Sequence, residues 1–113
     1  GPSGGLIEIG FETLTVSTSV VTLASVPAGT RWALIFFQNQ PVRWRAGQGV
    51  PTATTGQYAG AGSYLDWTPG GDFRWDYAQM IPALRMIRDT GASGDATLAI
   101  TYFGLHRYAT GEE

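Results

Sequence analysis

Short segments in which polar and apolar residues alternate recur along the whole chain, and turn residues separate them. Alternation with a period of two indicates a half-buried β-strand, because successive side chains of a strand point to opposite faces. The segments predicted as strands, some by this alternation and others by their apolar and β-branched residues, are 6–12, 13–17, 20–26, 31–38, 42–45, 52–55, 63–67, 73–77, 83–89 and 96–103. Their regular spacing predicts an all-β fold: a single β-sandwich, jelly-roll-like, of about eight short antiparallel strands.

Residues 77–88 carry two competing patterns. Several apolar residues follow a helical spacing there: Tyr77, Met80, Ile81, Leu84 and Ile87. Pro82 opposes a helix, because proline lacks the backbone N–H and its ring clashes with the preceding turn. We therefore expect a short turn at 78–82 and a strand at 83–89.

The segment 31–38 is apolar on both of its faces. The alternating side chains are Trp32, Leu34 and Phe36 on one face and Ala33, Ile35 and Phe37 on the other. Such a strand is central in its sheet, or is covered on both faces by a neighbouring element or a partner subunit. The segment therefore makes a homo-oligomer plausible. The turn before it, at 27–30, places Gly29 where a positive φ is expected.

Composition limits the classes of function. The 113 residues predict one domain, and charged residues make up only 14% of them, against about 25% in typical domains. The net charge of −2 provides no basic field for nucleic acid, so no nucleic-acid partner is predicted. Cysteine is absent, which excludes disulfides, thiolate metal sites and cysteine nucleophiles. All seven basic residues are arginine: 31, 43, 45, 74, 85, 88 and 107.

Three parts of the chain are expected. The first five residues, Gly-Pro-Ser-Gly-Gly, look like a tag remnant and linker. A β-sandwich domain is expected at 6–105 and a flexible tail at 106–113. No apolar run reaches the length of about 18 residues that a membrane span needs, so no membrane partner is predicted.

Few residues could support catalysis. His106 is the one histidine and is expected to be solvated in the tail. Asp89, Thr90 and Gly91 match the Asp-Thr-Gly of retroviral-type aspartic proteases, in which two carboxylates share one proton. Too few residues follow Asp89 for the rest of such a fold. A hairpin turn capped by Asp89, with Gly91 and Gly94 at positive φ, accounts for the same residues. We predict no enzyme, no metal and no cofactor.

The four tryptophans have three open interpretations: core, protein interface or sugar-stacking platform. They are Trp32, Trp44, Trp67 and Trp75. Each alternates with polar neighbours on a predicted strand, which favours the core. Tryptophan and arginine are also the residues enriched at protein interfaces.

Five segments together resemble a known class of protein: VPAGT at 26–30, PVRWR at 41–45, PTATTG at 51–56, LRMIR at 84–88 and ATLAITYF at 96–103. They are similar to segments of small β-sandwich virion structural proteins of tailed bacteriophages. The resemblance covers about residues 11–103. It implies a capsid decoration (cement) protein that sits on the capsid surface of the virion and stabilises the head shell. The implied partners are the major capsid protein and further copies of the chain, most simply as a trimer.

Under this hypothesis the aromatic and arginine-rich strands are the expected interface: Trp32, Arg43, Trp44, Arg45, Phe73, Trp75 and Tyr77. An alternative is a glycan-binding module in which Tyr64, Trp67 and Trp75 stack on sugar. A tail or fibre component of a phage is a further alternative.

Overall fold

The computed structural model describes residues 6–67 and 77–105. They form two antiparallel sheets of four strands each, packed together, so the predicted all-β sandwich is confirmed. In chain order the elements are β1 (Leu6–Val16), β2 (Val21–Thr22), β3 (Thr30–Phe37), β4 (Val42–Ala46), β5 (Gln57–Ala59), β6 (Tyr64–Trp67), α1 (Tyr77–Ala83), β7 (Leu84–Arg88) and β8 (Ala96–Leu105).

The strands pair in a jelly-roll order. The first sheet runs β1-β8-β3-β6 and the second runs β2-β7-β4-β5. Each early strand pairs with its counterpart counted back from the end, as β1 with β8, β2 with β7, β3 with β6 and β4 with β5. This is the pairing of one long hairpin rolled into two sheets, as in jelly rolls.

The hydrophobic core lies between the two sheets. In β3, Ala33, Ile35 and Phe37 are fully buried and alternate with half-buried residues, as expected for a strand with one face in the core. The largest fully buried side chains are Val16, Ile35, Phe37, Val42, Pro51, Ile81, Leu84, Met86, Leu98, Ile100 and Tyr102. Burial of an aliphatic or aromatic side chain of this kind contributes about 1.5–3 kcal/mol.

One polar cluster lies among these buried residues. The Tyr102 hydroxyl donates a hydrogen bond to the Glu12 carboxylate, and the Ser25 N–H donates to the same carboxylate at 2.9 Å. Burial, together with the adjacent Glu12, raises the pKa of Tyr102 above its usual value, so the phenol stays neutral. The cluster therefore joins β1, β8 and the loop after β2, and it satisfies the buried hydroxyl.

The predicted strands in the first 26 residues need correction. Segments 6–12 and 13–17 form one strand, β1, which pairs with β8 and has a bulge between Glu8 and Gly10. Segment 20–26 is a strand only at Val21–Thr22. The rest leaves the sheet because the Ser25 N–H bonds to Glu12, while Leu23 and Val26 pack against the core from the loop.

The predicted strand at 52–55 is wrong, because this segment forms a turn. The N–H of Thr52 bonds to the Thr55 carbonyl at 3.0 Å, the N–H of Thr55 bonds to the Thr52 carbonyl at 3.3 Å, and the two hydroxyls are 2.6 Å apart. Such local bonds compete with a sheet ladder. The strand of this region is β5, which begins at Gln57 and pairs with β4.

The turn expected at 78–82 is also wrong, because Tyr77–Ala83 forms helix α1. The helical spacing prevails because Ile81 is fully buried and Met80 packs against the core. Pro82 lies inside the helix and removes one of its backbone hydrogen bonds, and burial of the neighbouring Ile81 offsets that loss. Of the strand predicted at 73–77, residues 73–76 lie outside the described residues and Tyr77 begins the helix.

A positive φ was predicted at three glycines, and the structure confirms it at one of them. Gly29 has a φ of 86°, and the Thr30 N–H bonds to the Pro27 carbonyl at 3.3 Å, so the expected turn at 27–30 is confirmed. Gly91 and Gly94 do not have positive φ, and that expectation is wrong. Their turn is closed by the Ala92 N–H on the Asp89 carbonyl at 3.0 Å, and a turn of the type I kind needs no positive φ.

Candidate binding surfaces

The outward side of the first sheet carries a group of large apolar side chains, and we call this group the aromatic face. It consists of six large side chains drawn from all four strands: Phe11, Trp32, Leu34, Phe36, Tyr64 and Phe103. They share one side because Trp32 is in register with Phe103 and Phe36 is in register with Tyr64. Strand β3 therefore contributes apolar side chains to the core and to the aromatic face alike.

Stacked rings order the aromatic face. The ring centroids of Trp32 and Phe103 are 4.3 Å apart with an interplanar angle of 22°, and those of Phe36 and Tyr64 are 4.6 Å apart at 29°. Phe11 is 75% exposed and Tyr64 is 63% exposed. Rings already held by stacking lose little conformational freedom when a partner covers them.

Three exposed charges surround the aromatic face. Glu8 is in register with Phe103, Asp66 is in register with Leu34, and Arg31 precedes Trp32. None of the three forms a hydrogen bond or ion pair with the part of the chain that the structure describes. The buried indole N–H of Trp32 also lacks an acceptor among the described residues. These polar groups around the aromatic face therefore have no partners within residues 6–67 and 77–105.

The outward side of the second sheet is different, and we call it the arginine face. Its residues are Arg43, Arg45, Tyr58, Arg85 and Ile87. Arg43 donates from Nε to Asp89 Oδ1 at 2.6 Å and from Nη1 to the Gly56 carbonyl at 3.1 Å. Its guanidinium also lies 5.1 Å from the centroid of the Tyr58 ring, which adds a cation–π contact.

Two arginines of this face hold the loop that follows β4. Arg45 Nε donates to the Gln48 carbonyl at 3.0 Å, and Arg85 Nη1 donates to the carbonyls of Gly47 and Gly49 at 3.1 and 3.2 Å. Gly47 and Gly49 have φ values of 112° and 85°, which other residues rarely adopt. The arginine face therefore uses its donors within the chain.

Asp89 holds Arg43 through a mostly buried ion pair. Its side chain is 8% exposed, and Oδ2 accepts the Gly91 N–H at 2.7 Å while Oδ1 accepts Arg43. These two hydrogen bonds, that of Gly91 first, lower the pKa of Asp89, so the carboxylate is ionised. The expected Asp89-capped turn is confirmed, but it is not the turn of a hairpin, because β7 and β8 lie in different sheets. The preceding residue, Arg88, pairs with Asp95 at 2.6 Å.

The predicted interface residues lie on separate surfaces. Trp32 belongs to the aromatic face, and Arg43 and Arg45 belong to the arginine face on the other sheet. Trp44 is half-buried and packs against the core. Tyr77 begins α1. Phe73 and Trp75 lie outside the described residues, as does His106.

Sequence reasoning missed most of the aromatic face. Phe11, Leu34, Phe36 and Phe103 were not predicted as site residues, and Tyr64 was assigned only to a sugar platform. The two-sided apolar pattern at 31–38 indicated Leu34 and Phe36. It could not indicate Phe11 or Phe103, because their position depends on the pairing of β1 with β8 and of β8 with β3.

The described residues contain few other features of a binding site. A cavity of about 210 Å³ beside Ile87, Arg88 and Asp89 is smaller than the roughly 300–1,000 Å³ of ordinary small-molecule sites. Within residues 6–67 and 77–105 no cluster of metal-ligating side chains occurs, and no helix there is long and apolar enough to span a membrane. Comparison with models of protein families, with curated proteins and with solved structures finds no match.

Proposed function

We propose that this chain is a structural protein of a tailed-bacteriophage virion, a capsid decoration protein that binds and stabilises the head shell as a homo-oligomer. It is non-catalytic and contacts the major capsid protein through the aromatic face. The observation that carries this proposal is a sheet face of six large apolar side chains outside the core. The resemblance of five segments to phage virion proteins supplies the viral part of the proposal.

The size of the aromatic face supports a docking role. Three strands followed over about seven residues, and β6 over its four, cover roughly 400 Å², which is an upper limit for the aromatic face because outward threonines and Asp66 share this area. The largest apolar patch on a typical monomer covers about 300–600 Å² and is often functional. A single face of this size binds weakly, but several copies held together gain affinity through avidity. A homo-oligomer on a repetitive lattice meets this requirement.

The arginine face is a weaker docking candidate. Arg43, Arg45 and Arg85 all donate to acceptors within the chain. A partner that recruited these guanidiniums would have to replace existing bonds, including that of a mostly buried Asp89 carboxylate. The orientation that follows places the second sheet outward, toward solvent, on the decorated head.

The fold is compatible with this assignment. Jelly-roll sandwiches occur among viral capsid and lectin domains. The same architecture hosts many functions, so the fold adds weight without deciding among them. The proposed function therefore depends on the aromatic face and on its binding to the major capsid protein.

Co-sedimentation with heads of the encoding phage, prepared without this protein, tests the proposal. We expect wild-type protein to bind with saturation. Tyr64→Lys should weaken binding at least tenfold, because a charge is placed at an exposed apolar contact. Val50→Lys is the matched control, since Val50 is 56% exposed but lies in the loop after β4. Absence of binding by the wild type, or equal loss in both variants, contradicts the proposal.

A glycan-binding module is the second candidate. One observation favours it: the Tyr64 ring is 63% exposed and stacked on Phe36, the arrangement of a sugar platform. A glycan array tests it directly. Hits that Tyr64→Ala abolishes, together with no binding to heads, would replace the decoration protein with a sugar-binding tail or fibre component.

A further inference from the structure

Strand β1 is an unusually long edge strand. It is the outer strand of the first sheet and has 11 residues. The other three edge strands are β6, β2 and β5, with 4, 2 and 3 residues. Short edge strands are one way in which proteins prevent edge-to-edge pairing, and β1 is the exception.

β1 has few of the other protective features of edge strands over its second half. It contains no proline and no lysine or arginine. Of its two acidic residues, Glu12 points inward and bonds to Tyr102 and Ser25, so only Glu8 adds an outward charge. The bulge at Glu8 and Gly10 lies near one end of the strand. The stretch from Gly10 to Val16 is regular, and its outer edge pairs with no other strand in the described part of the chain.

The regular stretch is complementary to a second copy of itself. An antiparallel pair centred on Thr13 places Phe11 opposite Thr15 of the second copy, and Thr13 opposite Thr13. The exposed side of one strand then meets the exposed side of the other, because these three residues all point outward. Aromatic–threonine and threonine–threonine pairs are favourable across strands. A pair centred on Glu12 would instead set two carboxylates opposite each other, which is unfavourable.

We propose that β1 pairs with β1 of a second copy across a twofold axis at Thr13, which joins two first sheets into one continuous sheet of eight strands. The partner is this same chain, and the pairing is isologous. The two aromatic faces then lie side by side as one surface. This inference concerns the free protein and does not depend on binding to heads.

Sedimentation equilibrium of two matched variants tests the pairing. We expect the wild type to have twice the mass of the 12.1 kDa chain. Thr13→Lys should lower the association constant at least tenfold, because two lysines meet at the axis. Thr101→Lys is the control, since Thr101 lies on the same side of the sheet but in β8, and its effect should be less than threefold. A monomeric wild type, a trimer, or a dimer that Thr13→Lys leaves intact overturns the proposal.

A cysteine variant tests the register without relying on the stability of a lysine variant. The chain has no cysteine, so Thr13→Cys introduces the one thiol. Residues opposite each other in antiparallel strands have Cα atoms about 4.5–5.5 Å apart, within disulfide range. We expect mild oxidation to produce a covalent dimer of Thr13→Cys. Thr101→Cys should give none, because three strand spacings of about 4.8 Å separate the two thiols. Equal crosslinking of both variants would contradict the register.

Discussion

The two outward faces of the sandwich differ in whether their polar and charged groups already have partners among the described residues. On the arginine face, Arg43, Arg45 and Arg85 bond to a carboxylate and to loop carbonyls of the same chain. On the aromatic face, large rings and the exposed charges around them have no further partner among the described residues. The comparison teaches that charge alone does not mark a binding surface. A surface is available for docking when its groups are not already satisfied.

The same comparison gives a structural role to arginine in a chain without lysine. Arg43 bonds to Asp89 and Gly56 through separate nitrogens while its planar group lies over Tyr58. A lysine ammonium has neither the fork nor the planar face that these contacts use. The arginine face thus depends on the shape of the guanidinium, whereas nothing in the described structure explains why lysine is absent elsewhere.

The largest expected effect concerns the ion pair that anchors the arginine face. Asp89→Asn should lower the free energy of unfolding by about 3 kcal/mol, because it leaves a partly buried guanidinium without its carboxylate. Asp95→Asn is the matched control. Asp95 pairs with Arg88 but is 51% exposed, so its loss should be at most about 1 kcal/mol. Urea denaturation of both variants measures the difference, and equal losses would remove the distinction between the two pairs.

Acid should weaken the arginine face in the same way. The folded-state pKa of Asp89 lies below its ordinary value of 3.8, so folding favours the ionised form. Its contribution to stability is complete above about pH 4 and is lost as the pH falls through the lower, folded-state pKa. Denaturation midpoints measured from pH 6 to pH 2 should fall less steeply for Asp89→Asn than for the wild type. Parallel curves would contradict the assigned role.

A smaller effect is expected where an arginine holds two carbonyls. Arg85→Lys should cost about 1 kcal/mol, because lysine cannot reproduce the guanidinium geometry toward Gly47 and Gly49. Arg31→Lys, at the margin of the aromatic face, should change stability by less than about 0.5 kcal/mol. Thermal and urea unfolding compare the two. A larger loss at Arg31 would show that the charges around the aromatic face are structural after all.

The smallest changes in stability are expected for variants of Tyr58 and Tyr64. These two variants should nevertheless differ most in their binding to heads. Tyr58 and Tyr64 are 57% and 63% exposed, and their rings interact with Arg43 and Phe36 respectively. Replacement of either by alanine should cost about 1 kcal/mol or less. Only Tyr64→Ala should weaken binding to heads, by at least tenfold. Head-binding isotherms of the two variants, paired with their unfolding curves, check this.

The sequence predicted the sandwich because alternation survives wherever a strand has one face in the core. It failed where local hydrogen bonds or burial outweighed the pattern. Residues 52–55 are β-branched or small, yet the hydroxyls of Thr52 and Thr55 close a turn. Pro82 argued against a helix, yet burial of Ile81 sustains one around it. These outcomes depend on tertiary contacts that a single segment does not encode.

The candidate surface was only partly predictable. The two-sided apolar pattern of β3 predicted a central strand or one covered on both faces, and β3 is an inner strand of the first sheet. The pattern could not show that Phe11 and Phe103 join the aromatic face, because the long-range register of β1, β8 and β3 decides it. Similarly, the alternating pattern of residues 42–45 placed Arg43 on the side of the strand that faces away from the core. It could not show that Arg43 forms an ion pair with Asp89.

Hydroxyl-radical footprinting on phage heads tests the central claim most directly. Tyr64 and Tyr58 have nearly equal exposure in the free protein, one on the aromatic face and one on the arginine face. We predict that binding to heads slows oxidation of Tyr64 at least fivefold and leaves Tyr58 unchanged. Protection of Tyr58 with Tyr64 still reactive would show that the arginine face docks, and would contradict the account.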